Sequence, residues 1–227
     1  ISGDTLVLTG LAGIGKTSLL REVAHSAITE GHKVRWAQLD MDSDVRGIAH
    51  DLFGLNAPEN KEAIVGMLGA DDIVIIDGIH ELHPRHEHAV LDLILLITER
   101  GRTSIACRAP VPDTLRDFPI IKVEGLAPEN AAKMLSDDMD LEEALNLAEA
   151  LGGHPLALAL LDSSSEAPVA TTAVHDFVQQ NVLVSLDERC HDVLDRVALE
   201  PVPLRGNEVE DEEGFVDLDE RALLRWQ

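Results

Sequence analysis

The sequence is poor in basic charge and in aromatic rings. Its 18 Lys and Arg stand against 42 Asp and Glu, a formal charge of −24, and only five of the cations are lysines (16, 33, 61, 122 and 133). Affinity for phosphate backbones comes mainly from dense Lys and Arg, so nonspecific nucleic-acid binding is disfavoured. No tyrosine occurs, and Trp36, Trp226 and four Phe are too sparse to form base-stacking platforms. Two cysteines, Cys107 and Cys190, far apart in a chain without targeting signals, fit a reducing cytosol better than a disulfide framework. No apolar run approaches the ~18 residues that a membrane-spanning helix needs, and no basic-then-apolar signal opens the chain. The expectation is a cytoplasmic protein with no membrane partner, and, with Ile at position 1, a piece of a longer polypeptide.

With 227 residues the chain has room for one or two domains and a buried core. Its acid is spread through segments of helical apolar periodicity, which argues against a disordered acidic tail. A hydrated acidic surface with few lysines resembles proteins that stay soluble in a salt-saturated cytoplasm, where screening over ~3 Å removes self-repulsion. A halophilic source is expected, an ordinary acidic protein being the alternative.

Apolar, β-branched runs alternate with helical patterns. Residues 5–9, 34–39, 73–76, 103–107 and 120–123 read as buried strands, and 16–30, 44–53, 58–69, 86–99 and 127–136 as helices between them. Strict alternation implies an α/β fold whose parallel sheet is covered on both faces. Beyond 140, two further helices are expected, one ended by Gly152-Gly153 and one begun by Pro155. Residues 162–172 are small, polar and proline-containing, the best linker. Helices around 173–182 and 187–199 and a Pro- and acid-rich stretch follow.

The strongest chemical signal is Gly10-Leu11-Ala12-Gly13-Ile14-Gly15-Lys16-Thr17, a complete G-x-x-x-x-G-K-[ST]. Phosphate oxygens need close backbone approach, hence Gly10, Gly13 and Gly15 with Ile14 between them. They need a point charge, hence Lys16, and Mg²⁺ needs a hydroxyl, hence Thr17, with Ser18 next in the helix. The helix opening at 16 adds its positive end. A Mg-nucleotide site also needs a carboxylate at the end of a neighbouring strand, and Asp77 follows Ile73-Val74-Ile75-Ile76. Hydrolysis needs a base; Gly78 cannot serve, and Glu81 is the nearest carboxylate. Arg108, emerging from the fourth strand, reads either as a sensor of the γ-phosphate or as an Arg paired to a structural carboxylate. Cys107 reads as a small core residue.

This order of motifs resembles the STAND class of signal-transduction ATPases. The likeness rests on Gly10–Leu20, the acidic strand end, Arg108, residues 125–132 and Gly153-His154-Pro155-Leu156-Ala157-Leu158, and covers roughly residues 3–200. The last segment looks like the G-x-P motif, which in NB-ARC-like members brings a proline, here Pro155, against the adenine. Asp77–Leu82 is similar to the NACHT-type second motif, with His80 where Asp is usual. The resemblance implies a P-loop NTPase three-layer sandwich with a five-stranded parallel sheet of order 5-1-4-3-2 (residues 1–126), a small helical lid (127–182) and a partial winged-helix segment (183–227). From residue 200 onward, nine acids against Arg205, Arg221 and Arg225 make DNA contact by that segment improbable. His80, His83, His86 and His88 fit no regular zinc spacing and read as a polar, exposed loop after the third strand.

The expected function is a slowly hydrolysing ATPase switch, closed with ADP and opened by ATP. Mg²⁺ is held by Thr17 and, indirectly, Asp77; Lys16 and Arg108 stabilise charge and Glu81 serves as base. Protein partners would engage through regions outside this chain, with nucleotide-dependent self-assembly. The competing readings are an AAA-type motor and a nucleotide-binding transcriptional regulator with negligible hydrolysis.

Overall fold

The computed structural model describes residues 5–135, 139–162, 183–199 and 211–220, together with 179, 209, 223 and 224. The strands are β1 (Thr5–Thr9), β2 (Lys33–Gln38), β3 (Asp72–Asp77), β4 (Arg102–Ala106) and β5 (Ile120–Lys122). Up to β5 the helices are α1 (Lys16–Thr29), α2 (Val45–Phe53), α3 (Lys61–Gly66) and α4 (Pro84–Thr98). After it come α5 (Pro128–Ala132), α6 (Leu141–Ala150), α7 (Pro155–Asp162), α8 (Glu188–Leu199) and α9 (Glu212–Glu220).

All strand pairs are parallel, in the order β2-β3-β4-β1-β5, which is the expected 5-1-4-3-2 read from the other edge. The run Ile73–Ile76 has no polar alternation, as suits a strand covered on both faces, and all six residues of β3 are buried. The edge strand β5 is exposed along its three residues. Asp77 therefore ends a central strand, where the backbone holding it is fixed from both sides.

Two compact units emerge. The first holds the strands, from β1 to Lys122, without the loop Gly10–Gly15. Its core is large and aliphatic, including Ile48, Ile64, Ile76, Leu93, Ile94, Ile97 and Ile105. Arg35 ties β2 to β3: its Nε meets Asp72 Oδ2 at 2.6 Å, its Nη1 donates to the Leu52 carbonyl at 2.7 Å, and the guanidinium lies 4.3 Å from the Phe53 ring centroid. The second unit groups Gly10–Gly15 with the chain from Val123 onward. Its buried clusters are small-residue rich around α5–α7 (Ala131, Ala132, Ala144, Ala148, Leu158) and, separately, Leu186, Cys190, Val193, Val209 and Leu218 around α8 and α9.

Several helix limits differ from the sequence reading. The helix expected over 58–69 spans 61–66; it starts at Lys61 because the Asn60 side chain caps it by accepting the Ala63 N–H at 2.8 Å. The helix expected from 86 begins at Pro84, whose missing N–H is one of those a first turn leaves unbonded, and His83 caps it through Nδ1. The histidine tract is thus not a loop: His86 and His88 stand on α4. The helix expected over 127–136 stops at Ala132, where i→i+3 bonds from Met134 and Leu135 close the turn. Asp162 ends α7, and the remainder of the expected linker, the helix around 173–182 apart from Gln179, and 200–210 apart from Val209 lie outside the described residues.

Candidate nucleotide site

Lys16 opens α1 directly after the glycine-rich loop and is 7% exposed. Burial, and then the Arg108 guanidinium, push its ammonium down to about 8, with Cys107 and Asp77 pulling less strongly the other way. A desolvated ammonium beside a second cation gains charge stabilisation from an incoming anion. One residue on, Thr17 Oγ1 donates to Asp77 Oδ2 at 2.6 Å, and Asp77 is buried at the carboxyl end of β3. A hydroxyl and a carboxylate side by side are the hard oxygen donors that suit Mg²⁺.

The chain turns sharply after Asp77. Gly78 has φ of 90°, and a Cβ there would lie 2.7 Å from the Leu39 carbonyl oxygen and 3.2 Å from Gln38 Nε2, so no acidic side chain fits at that position. The next acid, Glu81, ends the 3₁₀ turn Ile79–Glu81, held by its N–H on the Gly78 carbonyl at 2.8 Å. Glu81 Oε1 lies 2.9 Å from His80 Nε2 and 3.5 Å from Arg108 Nη2. Burial, then Arg108 and Lys16, push the His80 imidazole down to about 4, so it is neutral at pH 7. Arg108 faces a carboxylate, is 36% exposed, and is close enough to Lys16 to lower that group's pKa. Cys107 is fully buried with its thiol pushed up to about 11 by burial, a core residue and not a nucleophile.

In the second unit, Gly10, Gly13 and Gly15 have φ of 149°, 73° and 107°. A Cβ on Gly15 would meet nothing within 4 Å, whereas one on Gly13 would lie 2.7 Å from Leu156 Cδ2 and 3.1 Å from His154 Cε1. Ile14 is buried and donates to the Leu11 carbonyl at 3.4 Å. Pro155 is the first residue of α7, between two residues that reach the loop. Ser18 is exposed on α1. The structure thus brings Lys16, Thr17 and Asp77 together with Arg108, Glu81 and His80, and brings the loop together with His154 and Leu156. His80 and His154 were not singled out from sequence as functional. The available signal was position: one lies three residues after the strand-ending Asp77, the other directly before a helix-opening proline.

Sheet order, the loop between β1 and α1, and the helix that Lys16 opens define a P-loop NTPase fold. The chain is similar, over 99% of its length, to the crystal structure of a signal transduction ATPase with numerous domains (STAND) that carries a tetratricopeptide repeat sensor, from Pyrococcus horikoshii, with a TM-score of 0.55 and 21% identity. It is also 30% identical over 96 residues to the DNA repair protein RadA of Brucella abortus (strain 2308). The chain spans 38% of the first protein and 21% of the second. No protein-family model matches the sequence. No described helix is long and apolar enough to cross a membrane.

The residues present fit a Mg-nucleotide. Lys16 holds a desolvated ammonium beside Arg108, and Thr17 and Asp77 offer paired oxygens.

Proposed function

We propose that the chain is the nucleotide-controlled switch of a STAND-type ATPase, binding Mg-ATP and Mg-ADP and hydrolysing ATP slowly. The observation that carries this reading is the 2.6 Å bond between Thr17 and Asp77 beside the buried ammonium of Lys16. Mg²⁺, when bound, supplies charge neutralisation at the β- and γ-phosphate oxygens, with Thr17 and, through water, Asp77 as its holders. Lys16 then offsets charge on the β- and γ-phosphates. Glu81 takes a proton from the water that attacks the γ-phosphorus in line, as the bond to the β–γ bridging oxygen breaks and ADP leaves.

Arg108 supplies the switch. A γ-phosphate competes with Glu81 for its guanidinium, and ADP has none to offer, so the two nucleotides differ in the contacts they make. In this reading protein partners engage through regions outside this chain, self-assembly depends on the nucleotide, and Pro155 meets the adenine. The acidic surface supports work at high salt, for which the melting temperature should climb steeply between low and molar KCl.

The decisive experiment is calorimetry on Lys16→Ala. Losing the ammonium should weaken Mg-ATP binding at least tenfold, ~1.4 kcal/mol or more. Unchanged affinity would sink the nucleotide reading.

A further inference from the structure

We infer that His154 is a positioning residue of the phosphate loop, fixing from the α7 side the orientation of one peptide unit that a nucleotide must meet. The inference rests on the nucleotide reading above and adds to it a residue of the helical unit.

His154 uses both ring nitrogens. The Ala157 N–H donates to Nδ1 at 3.3 Å, which places His154 at the N-cap of α7 and leaves Nδ1 without a proton. Nε2 therefore carries the proton, and at 2.9 Å it donates to the carbonyl oxygen of Ala12. That carbonyl belongs to the peptide joining Ala12 to Gly13. In a planar trans peptide the C=O and N–H point in opposite directions, so drawing the Ala12 oxygen toward His154 turns the Gly13 N–H to the opposite side of the loop. A phosphate loop works by presenting N–H groups, and a peptide free to flip would present its carbonyl oxygen and repel the anion. His154 removes that freedom before the ligand arrives.

Packing supports the same arrangement. Gly13 lies so near Leu156 that a Cβ would be 2.7 and 2.8 Å from two Leu156 carbons, and its φ of 73° suits glycine. Leu156 closes the α7 side of Gly13 while His154 holds the peptide before it. On the same stretch, a Cβ on Gly153 would collide with the Leu126 backbone, and the Leu126 N–H bonds the Gly153 carbonyl at 2.9 Å. His154 thus projects from a chain segment that is itself pinned.

Two substitutions divide the two nitrogens. Gln at 154 can set its amide N–H₂ near the place of Nε2 and keep the bond to Ala12 while losing the helix cap. Asn can keep the cap through its carbonyl but is too short to reach Ala12. If His154 positions the loop, H154N should bind Mg-ADP about tenfold more weakly and H154Q within about threefold of wild type, because one loop bond and its preorganisation are at stake. Melting curves should order them the other way, with H154N near wild type and H154Q lower. In the nucleotide-free chain, amides of residues 10–15 should exchange faster in H154N than in H154Q. Equal losses of affinity in both variants, or affinity that follows the melting temperature, overturns the positioning role and leaves the nucleotide reading intact. A wild-type chain that gives no binding heat with Mg-ADP or Mg-ATP overturns the nucleotide reading itself.

Discussion

Arg35 and Arg108 flank β3 from its two neighbouring strands and are held in opposite ways. Arg35, within β2, meets Asp72 at 2.6 Å with both side chains 9% exposed, and it spends a further N–H on Leu52 and its face on Phe53. Arg108, just past β4, meets Glu81 at 3.5 Å with side chains 36% and 50% exposed. Breaking a buried pair strands an uncompensated charge, whereas a half-exposed pair gains and loses little. The sheet uses the first guanidinium as a fastener. The second is held by a longer contact to a half-exposed carboxylate.

The sharpest way to test this contrast is to remove the fastener. Arg35→Ala should lower unfolding free energy in urea by about 3–5 kcal/mol, since Asp72 is left buried without its partner. A loss below ~1 kcal/mol would erase the difference between the two arginines.

Lys16 extends the comparison to a third cation, buried like Arg35 but with its charged form disfavoured by that burial. Its charged form is disfavoured in the folded chain, about 8 against an ordinary 10.5, so the unfolded chain binds more protons between those values. Wild-type stability from this group therefore rises as pH climbs from 8 to 10.5, and the burial cost is fully present below 8. Lys16→Met should stabilise the nucleotide-free chain near neutral pH by about 1–3 kcal/mol and abolish nucleotide binding, with the stability gain fading above pH 8. A destabilised Lys16→Met would mean that the ammonium is a structural group.

These contrasts explain how far the sequence could be read. The central strands were legible because Ile73–Ile76 is apolar without alternation, and the phosphate loop because its glycines and Lys16 sit at fixed spacing. From that pattern the sheet order followed by family resemblance. Helix starts were less legible, since they depend on caps: Asn60 and His83 each start a helix through one side-chain bond. In the candidate site, Thr17 and Asp77 were named from sequence 60 residues apart and stand in contact. The roles of Arg35 and Arg108 could not be separated that way, because an Arg beside an apolar run carries no mark of what faces it. The contact of His154 with the loop was not legible because its acceptor, the Ala12 carbonyl, is backbone and lies 142 residues away.

His80 tests the local field around Arg108. Its imidazole takes a proton only near pH 4 in the folded chain but near 6.5 when unfolded, so the unfolded state binds more protons between those values. Stability from this group is present above 6.5 and is lost as pH falls toward 4. His80→Gln should therefore flatten the acid limb of the stability curve relative to wild type by roughly 1–2 kcal/mol over that window. Identical limbs would show that the imidazole is solvated like any surface histidine.

The smallest effect on stability belongs to Arg108, and it separates the two roles left open for that residue. With its partner half exposed and 3.5 Å away, Arg108→Ala should change unfolding free energy by less than ~1 kcal/mol, in contrast to the several expected for Arg35. The electrostatic consequence is larger than the mechanical one. Arg108 follows only burial among the causes that lower both His80 and Lys16, so its removal should raise both pKa values, which NMR titration of the His80 ring reports directly. If Arg108 also bonds the γ-phosphate, ATP affinity should fall by ~1.5–3 kcal/mol, the worth of a charge-assisted bond, while ADP affinity holds. Raising the Lys16 pKa acts on both nucleotides and in the favourable direction, so it cannot imitate a loss confined to ATP. Equal losses for ATP and ADP, or a stability loss like that of Arg35→Ala, would make Arg108 a second fastener and remove it from the switch.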